Sequence, residues 1–409
     1  MSNPFAESWY GYADVDHPDL GALDIRAAVG TSTSPTSPGT KAVTGVGFQP
    51  SAVLDFWSLL ASDANQIDLH GGIGAAVSGS NCSVGYYSKS NVTTSSTYLR
   101  HTSSAMITAL NAATTFEEAS LSSFDADGFT RAWNPASATA YILNHIALGG
   151  ADAEFELTFH QMNATNADES FAHGLSGAPT GVLFFSTLNR TAPPNTSARL
   201  YYSIGAWSAS SQFDAALFSQ ENVTTTVTRR RLSNVGVVTL LSPAVARQMA
   251  VASVDDTNVN CTYPNTISPL QFRFFMLAIR GAKVQTGTFD CNGSTDPLSI
   301  SCTGITPKLF MPVMMLNGVG GINTVANNAV ITIGASDGTN TVSCGVTDSN
   351  GVTTTNARRY QSSNSLVQYD ISGIQGFNST VSFDGESVVV DPSLCSANNG
   401  QGAYIIIGA

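Results

Sequence analysis

The stretch Ile73-Gly74-Ala75, followed by Val92-Thr93-Thr94 and Arg100, decides the fold because it recurs twice. The later copies are Ile204-Gly205-Ala206 with Val223-Thr224-Thr225 and Arg231, and Ile333-Gly334-Ala335 with Val352-Thr353-Thr354 and Arg359. The glycine-to-valine spacing is constant, since 92 − 74, 223 − 205 and 352 − 334 all equal 18. A fixed spacing in three copies indicates one supersecondary unit built three times. The sequence therefore predicts three tandem domains.

A glycine-containing turn and a closing apolar strand recur in the same register. The turn Thr44-Gly45-Val46-Gly47-Phe48-Gln49-Pro50 precedes an apolar strand, and shorter glycine turns occupy the same place in the later repeats. Each repeat ends on an apolar strand and a glycine, the last being Tyr404-Ile405-Ile406-Ile407-Gly408. Short β-branched and aromatic runs between Gly, Asn and Pro turns predict β-sandwiches. We expect an all-β fold of three tandem, jelly-roll-like β-sandwiches, at residues 24–154, 155–284 and 285–409.

Some local segments carry more specific expectations. The strand from Phe272 to Gly281 is apolar on both sides, which predicts a central strand covered on both faces. Ser242 to Met249 has a cap residue and then a proline, which predicts one or two turns of helix. Ser103 to Ala113 is the expected counterpart in the first repeat.

Residues 1–23 match nothing in the repeats and are expected to form an extended N-terminal arm. Trp9, Tyr10 and Tyr12 lie there among acidic residues and are the candidate docking residues on a neighbouring subunit. The alternative is a terminus without fixed structure.

The overall charge restricts the classes of partner. The 409 residues carry a net charge of −12, and only 11% of them are charged. A surface that follows phosphates needs clustered Lys and Arg, so we expect no nucleic-acid partner. The first twenty residues lack a basic segment followed by an apolar one, and no run approaches eighteen apolar residues, so we expect neither a signal peptide nor a membrane span.

The six cysteines allow one candidate disulfide. No C-x-x-C pair is present, so a zinc site is not expected. Cys291 and Cys302 flank a turn-rich segment and are the candidate pair across a hairpin, the alternative being two buried thiols. We expect no metal or other cofactor.

The arginines that follow each Val-Thr-Thr segment are the candidate docking residues. Arg100, Arg231 and Arg359 are interpreted as one recurrent position, which pairs with a carboxylate on an adjacent strand or at a subunit contact. The cluster of Arg229 and Arg230 with Arg231 is expected to dock an acidic neighbour, and Arg358 extends the set in the third repeat.

No motif indicates catalysis. Asp125-Ala126-Asp127-Gly128 resembles the start of a calcium loop but lacks the later oxygen donors, so a hairpin turn is the better interpretation. No G-x-S-x-G elbow is present, and no histidine recurs in the repeats. Trp57, Trp133 and Trp207 are expected in cores, the alternative being stacking on sugar rings. We predict a protein that is not an enzyme.

The turn from Thr44 to Pro50, the element Phe124-Asp125-Ala126-Asp127-Gly128-Phe129 and the closing apolar strand together resemble a tandem β-domain of tailed-bacteriophage structural and minor tail proteins. The resemblance covers about residues 24–154 and is weaker in the later repeats. It implies a virion component, made in the host cytoplasm and bound to other virion proteins.

These observations are consistent with three functions. The first is a tail or tail-tip protein that forms homo-oligomers in an assembly and contacts a host-surface glycan. The second is a capsid decoration protein or a head spike or fibre. The third, of a different class, is a lectin-like carbohydrate-binding module.

Overall fold

The computed structural model describes residues 23–111, 113–187, 192–266, 273–291, 293–315, 321–396 and 400–409. Within these ranges the protein is all-β with no helix, which confirms the predicted class. Residues 1–22 of the expected N-terminal arm, including Trp9, Tyr10 and Tyr12, lie outside the described residues.

The described strands fall into three series of eleven. The first repeat contains β1 (Arg26–Thr33), β2 (Gly39–Thr44), β3 (Ala52–Trp57), β4 (Asn65–Ile67), β5 (Leu69–Val77), β6 (Ser80–Ser88), β7 (Thr97–Thr102), β8 (Ile107–Asn111), β9 (Thr114–Asp125), β10 (Gly128–Trp133) and β11 (Ile142–Gly149). The second contains β12 (Glu154–Gln161), β13 (Glu169–Ala172), β14 (Gly181–Thr187), β15 (Asn195–Ala198), β16 (Leu200–Ser208), β17 (Gln212–Ser219), β18 (Thr228–Ser233), β19 (Val238–Leu241), β20 (Val245–Val254), β21 (Asn258–Thr266) and β22 (Arg273–Arg280). The third contains β23 (Lys283–Asp290), β24 (Leu298–Ser301), β25 (Pro307–Met314), β26 (Ala326–Asn327), β27 (Ala329–Ser336), β28 (Thr341–Asp348), β29 (Ala357–Ser362), β30 (Leu366–Tyr369), β31 (Gln375–Phe383), β32 (Ser387–Cys395) and β33 (Gln401–Gly408).

Each repeat builds one large and one small antiparallel sheet. In the first repeat the large sheet has the order β1-β11-β3-β5-β6-β7, and the small sheet has the order β2-β10-β9-β8. The other two repeats reproduce both orders strand for strand. Ten strands of its own make each sandwich larger than an eight-stranded jelly roll.

A short strand from a neighbouring repeat completes every large sheet. The second repeat's β15 pairs with β7 of the first, and the third repeat's β26 pairs with β18 of the second. The first repeat's β4 pairs with β29 of the third. We call β4, β15 and β26 the exchange strands. Because each repeat donates one strand and receives one in cyclic order, the three repeats form a closed ring with approximate threefold symmetry.

The described residues form four hydrophobic clusters. Three of them fill the spaces between the large and small sheets of the individual repeats. The fourth contains residues from the large sheets of all three repeats and forms one shared core. The predicted two-faced strand illustrates this, because Phe274 and Met276 enter the second repeat's own core while Phe275 and Leu277 enter the shared core. Burial on both faces is therefore confirmed for its described part.

The glycine of the Ile-Gly-Ala motif lies where the two sheets of a sandwich approach each other closely. A Cβ atom at Gly74 would lie 1.9 Å from the carbonyl oxygen of Met106, and one at Gly205 would lie 1.9 Å from that of Val237. In the third repeat, a Cβ at Gly334 would lie 2.4 Å from the Leu366 side chain. The recurring glycine therefore lets the small sheet pack against the large one.

A carboxylate ties the glycine turn to the hairpin of the small sheet. Asp127 accepts hydrogen bonds from the amides of Gly45 (3.1 Å) and Gly47 (2.6 Å). The later repeats use Asp256, which accepts from the Ala178 amide, and Glu386, which accepts from the Gly304 amide. This explains why the two motifs occur together, and it confirms the turn at Asp127-Gly128.

Both predicted helices are wrong. Val245 to Met249 belongs to β20, and Ser242 with Ala244 forms the turn before it. In the first repeat, Ile107–Asn111 is β8. The capping residue and the proline mark a turn between β19 and β20, and pairing with neighbouring strands overrides the local helical preference.

Candidate functional site

The Val-Thr-Thr segments form the contacts between repeats. The Thr226 hydroxyl donates to the carbonyl oxygen of Ser349 (2.6 Å) and accepts from the Val352 amide (3.1 Å), both in the third repeat. Two backbone bonds flank this hydroxyl, from the Thr226 amide to the Val352 carbonyl (3.0 Å) and from the Gly351 amide to the Thr226 carbonyl (2.8 Å). We call the contact between adjacent repeats the seam. The Val-Thr-Thr motif therefore supplies the hydrogen bonds of the seam.

The other two seams repeat this geometry. Ser95 takes the place of Thr226 and accepts from the Val223 amide of the second repeat (3.1 Å). Thr355 takes the same place in the third repeat and accepts from the Val92 amide of the first (3.0 Å). All three hydroxyl residues lie 21 positions after the Ile-Gly-Ala glycine, since 95 − 74, 226 − 205 and 355 − 334 are equal. The recurrent sequence thus supplies the hydrogen bonds that join each repeat to the next and close the ring.

Equivalent residues from the three repeats meet where the ring closes on itself. Ser88, Ser219 and Asp348 each lie 14 residues after the motif glycine. The hydroxyls of Ser88 (3.0 Å) and Ser219 (2.8 Å) both donate to one carboxylate oxygen of Asp348. The Thr97 hydroxyl lies 3.1 Å from that of Ser88, and the Thr228 hydroxyl donates to the Asp348 carbonyl (3.0 Å). We call these five residues the axial cluster.

Asp348 is a buried carboxylate inside the axial cluster. It is 1% exposed, and its second carboxylate oxygen has no hydrogen-bond partner among the described residues. Burial raises the pKa of Asp348 to about 6, although the hydroxyls of Ser219 and Ser88 favour the ionised form. The sequence reasoning missed this cluster; the signal was a polar residue at the same offset in all three repeats.

Two arginines clamp the exchange strands. Arg359 donates to the carbonyl oxygens of Ile67 (3.0 Å) and Asp68 (2.8 Å), at the end of β4. Arg230 makes the same contacts with Asn327 and Asn328, at the end of β26. Arg230 is only 5% exposed, so its side chain contacts the neighbouring repeat and not an open surface.

The register of the recurrent arginine needs a correction. Arg100 lies opposite Gly85 and Arg231 lies opposite Ala216, but the third repeat has Tyr360 in that register, opposite Gly345. Arg359 is one residue earlier and corresponds to Arg230. The mistake arose because adjacent arginines make a one-residue shift invisible in the sequence.

The arginines contact the neighbouring repeat of the same chain. Arg231 donates to the Asn323 carbonyl (3.3 Å), and Arg100 approaches Thr196 (3.5 Å) as well as Glu118 (3.7 Å). Arg229 contacts Asn350, and Arg358 pairs with Ile67. Arg230 and Arg231 are buried and donate to carbonyl and hydroxyl oxygens of this chain, and the Asp214 carboxylate lies near Arg231. Docking of an acidic neighbouring subunit by these arginines stays a prediction.

The repeats also meet at a second kind of contact. The hairpin between β5 and β6, or its equivalent in another repeat, contacts the first strand of the next repeat. The Val29 amide donates to the Asp337 carboxylate (2.9 Å), and the Thr286 amide donates to the Ser208 hydroxyl (3.1 Å). Beside the first of these contacts is a groove of about 550 Å³, lined by residues of β1, the glycine turn, His145 and the hairpin that contains Asp337 and Asn340.

A buried ion pair lies near His145, one of the residues that line the groove. Arg131 donates through Nε to Asp55 (3.0 Å) and through Nη1 to Ser32 (2.9 Å), and its guanidinium lies over the Phe129 ring. Burial, helped by the nearby Arg131 charge, lowers the pKa of His145 to about 3, so this imidazole is neutral at physiological pH. Because Asp55 pairs with Arg131, it does not orient His145 as a Ser-His-Asp mechanism requires.

The candidate disulfide between Cys291 and Cys302 is not formed in this structure, in which all six cysteines are buried thiols. Cys302 lies beside Glu386 at one end of β32, whereas Cys291 contacts Cys395 at the other end. The strand between them spans on the order of 25 Å.

The tryptophans considered for sugar binding and the aspartate considered for calcium binding contact other residues of the fold. Trp57 and Trp133 are buried in the first repeat's core, as expected, and Trp207 is half-buried against that of the second. Asp125 accepts hydrogen bonds from Ser123 and Thr130. In the described ranges, no group of three or more His, Cys, Asp or Glu is placed to hold a metal ion, and no helix is long and apolar enough to cross a membrane.

The fold and the seams define a class: a single chain that forms a threefold ring of β-sandwiches. Comparison with protein-family models, curated proteins and solved structures found no match.

Proposed function

We propose that this chain is a non-enzymatic structural component of a tailed-phage particle. The observation that carries the proposal is the closed ring, in which exchange strands, clamping arginines and a shared core join three repeats. Each exchange strand covers one edge of a large sheet, so that this edge is not open to pairing with other chains. A single fixed arrangement of the three repeats suits a structural subunit of an assembly.

The ring favours a position of local threefold symmetry. A single chain with three equivalent faces matches a partner that presents three equivalent contacts. Positions of this kind exist between capsid subunits and at the base of a trimeric fibre. The tail or tail-tip role draws its support from the resemblance of the first repeat, and capsid decoration draws its support from the ring geometry.

A lectin-like role has weaker support. Trp57 and Trp133, two of the candidates for stacking on sugar rings, are 1% and 2% exposed. The groove beside His145 is polar and offers no large exposed aromatic face among its lining residues. A host glycan is therefore kept as a partner of the assembled particle rather than as the primary ligand.

Labelling of particles tests the proposal. An antibody raised against the purified protein is applied to phage particles from the source culture and examined by electron microscopy. We expect label at regular positions on head or tail, and subtomogram averaging should fit the ring at a site of local threefold symmetry. Particles that carry no label, together with a monomer that binds glycans on an array, would favour the lectin-like alternative.

The arm has its own test within the same system. A variant without residues 1–22 is added to particles in competition with the full chain. We expect reduced incorporation, because Trp9, Tyr10 and Tyr12 are the proposed docking residues; equal incorporation would show that the arm is not an anchor.

A further inference from the structure

Two thiols of the third repeat lie in direct contact across its sandwich. Cys291 follows β23 of the large sheet, and Cys395 ends β32 of the small sheet. Their side chains are within hydrogen-bonding distance of each other, and both belong to the same buried core. They are 5% and 7% exposed, so they lie close below the surface.

The backbone fixes both cysteines in place. The Cys291 amide donates to the Gly400 carbonyl (3.2 Å), and Cys395 lies opposite Phe377 in the β31–β32 ladder. A Cβ atom built at Gly400 would lie 3.1 Å from the Cβ of Cys291, so the chain is tightly packed around this thiol. Two thiols held within hydrogen-bonding distance of each other are placed so that a disulfide can form between them.

The pair is specific to the third repeat. Strand register places Ser34 of the first repeat and Met162 of the second at the position of Cys291. Both are buried, so the site is a core position in every repeat. Only the third repeat has a thiol there with a second thiol beside it.

We propose that Cys291 and Cys395 form a disulfide when the protein meets a peroxide outside the reducing cytoplasm. Hydrogen peroxide converts one thiolate to a sulfenic acid and releases hydroxide. The second thiol then attacks that sulfur, and water leaves. In total, two thiols and one hydrogen peroxide give one disulfide and two waters. The bond joins the large and small sheets of the third repeat. This inference does not depend on the proposed function, although release of a particle from the host would supply the oxidising conditions.

The reaction should be slow and should accelerate with pH. Burial raises the pKa of Cys291 to about 12, with the nearby Cys395 and Asp290 adding to the effect, and burial also raises the pKa of Cys395. Because the thiolate is the reactive form, its small population limits the first step.

Peptide mapping of the full chain tests the proposal. The protein is incubated with hydrogen peroxide at pH 8.5, blocked with iodoacetamide, digested without reductant and analysed by mass spectrometry. We expect a peptide containing Cys291 linked to one containing Cys395, and the thiol count in denaturant should fall by two. Cys302→Ser should give the same linkage, whereas Cys395→Ser should abolish it. An unchanged thiol count in the wild-type protein, or a disulfide that links Cys291 to Cys302, would overturn the proposal.

Discussion

Asp348 shows how one residue breaks the symmetry of the ring. The equivalent residues Ser88 and Ser219 are neutral and donate to it, so a carboxylate has been placed where the other repeats have hydroxyls. Ionising a group at 1% exposure costs free energy that two hydroxyl donors only partly offset.

The pH dependence follows from the raised pKa. The pKa of Asp348 in the folded protein, about 6, is above its ordinary value of 3.8. Its contribution to stability is therefore complete below pH 4 and is lost as the pH rises through 6. A rise of this size corresponds to about 3 kcal/mol. Asp214, with a pKa raised by burial to about 6, and Glu117, raised by burial to about 7, act in the same direction.

We predict that Asp348→Asn stabilises the protein at neutral pH. The amide oxygen still accepts from Ser88 and Ser219, and the charge is removed. Urea unfolding at pH 7.5 should show a gain of about 1–3 kcal/mol, with little change at pH 4. Asp384→Asn, at an exposed turn, is the matched control and should change neither value. A loss of stability at pH 7.5 would show that the ionised carboxylate is needed in the axial cluster.

A second residue prediction concerns the seam hydroxyl. Thr226→Val keeps the shape of the side chain but leaves the Ser349 carbonyl and the Val352 amide without their partner. The free energy of unfolding should fall by about 1–3 kcal/mol. Thr225→Val is the control in the same segment, since Thr225 is exposed. Equal effects from both variants would mean that the hydroxyl bond does not hold the seam.

Among the described strands, the exchange strands are among the shortest, and they join the three repeats. β4 has three residues and β26 has two, so pairing alone would not hold them. Arg359 and Arg230 supply the additional hydrogen bonds, each to consecutive carbonyls at the strand end.

We predict that Arg359→Met opens one seam locally. The methionine keeps an apolar stem but cannot donate to Ile67, Asp68 or Gln66. Amide hydrogen exchange should accelerate in β4 and β29 and stay unchanged in β15. Arg26→Met removes an exposed ion pair with Asp24 and is the control, with no expected change of exchange in β4 or β29. Unchanged exchange in β4 would show that the arginine is not the clamp.

The three repeats and their β fold could be predicted from the sequence. The closure of the repeats into a ring could not. The constant spacing of 18 residues gave the three repeats, and the motif glycine suggested a close approach that Gly74 and Gly205 now show. The exchange strands could not be predicted, because the sequences of β4 (Asn65-Gln66-Ile67) and β26 (Ala326-Asn327) share no residue pattern. Strand pairing between repeats depends on backbone atoms, which every residue carries. The same limit applies to Cys291 and Cys395, which are far apart in sequence.

For the whole molecule, the shared core implies that the repeats unfold together. Each large sheet buries one face against the other two repeats, so loss of one repeat exposes apolar surface on its neighbours. We predict one calorimetric transition whose van't Hoff and calorimetric enthalpies agree. Three resolved transitions would indicate independent sandwiches.

Small-angle X-ray scattering of the purified full chain tests the closed ring most directly. A compact protein of this length has a radius of gyration of about 22 Å, whereas three separate sandwiches in a row would give about 30 Å or more. The ring predicts the smaller value and a distance distribution with a single maximum. A radius near 30 Å with a long tail in that distribution would contradict it.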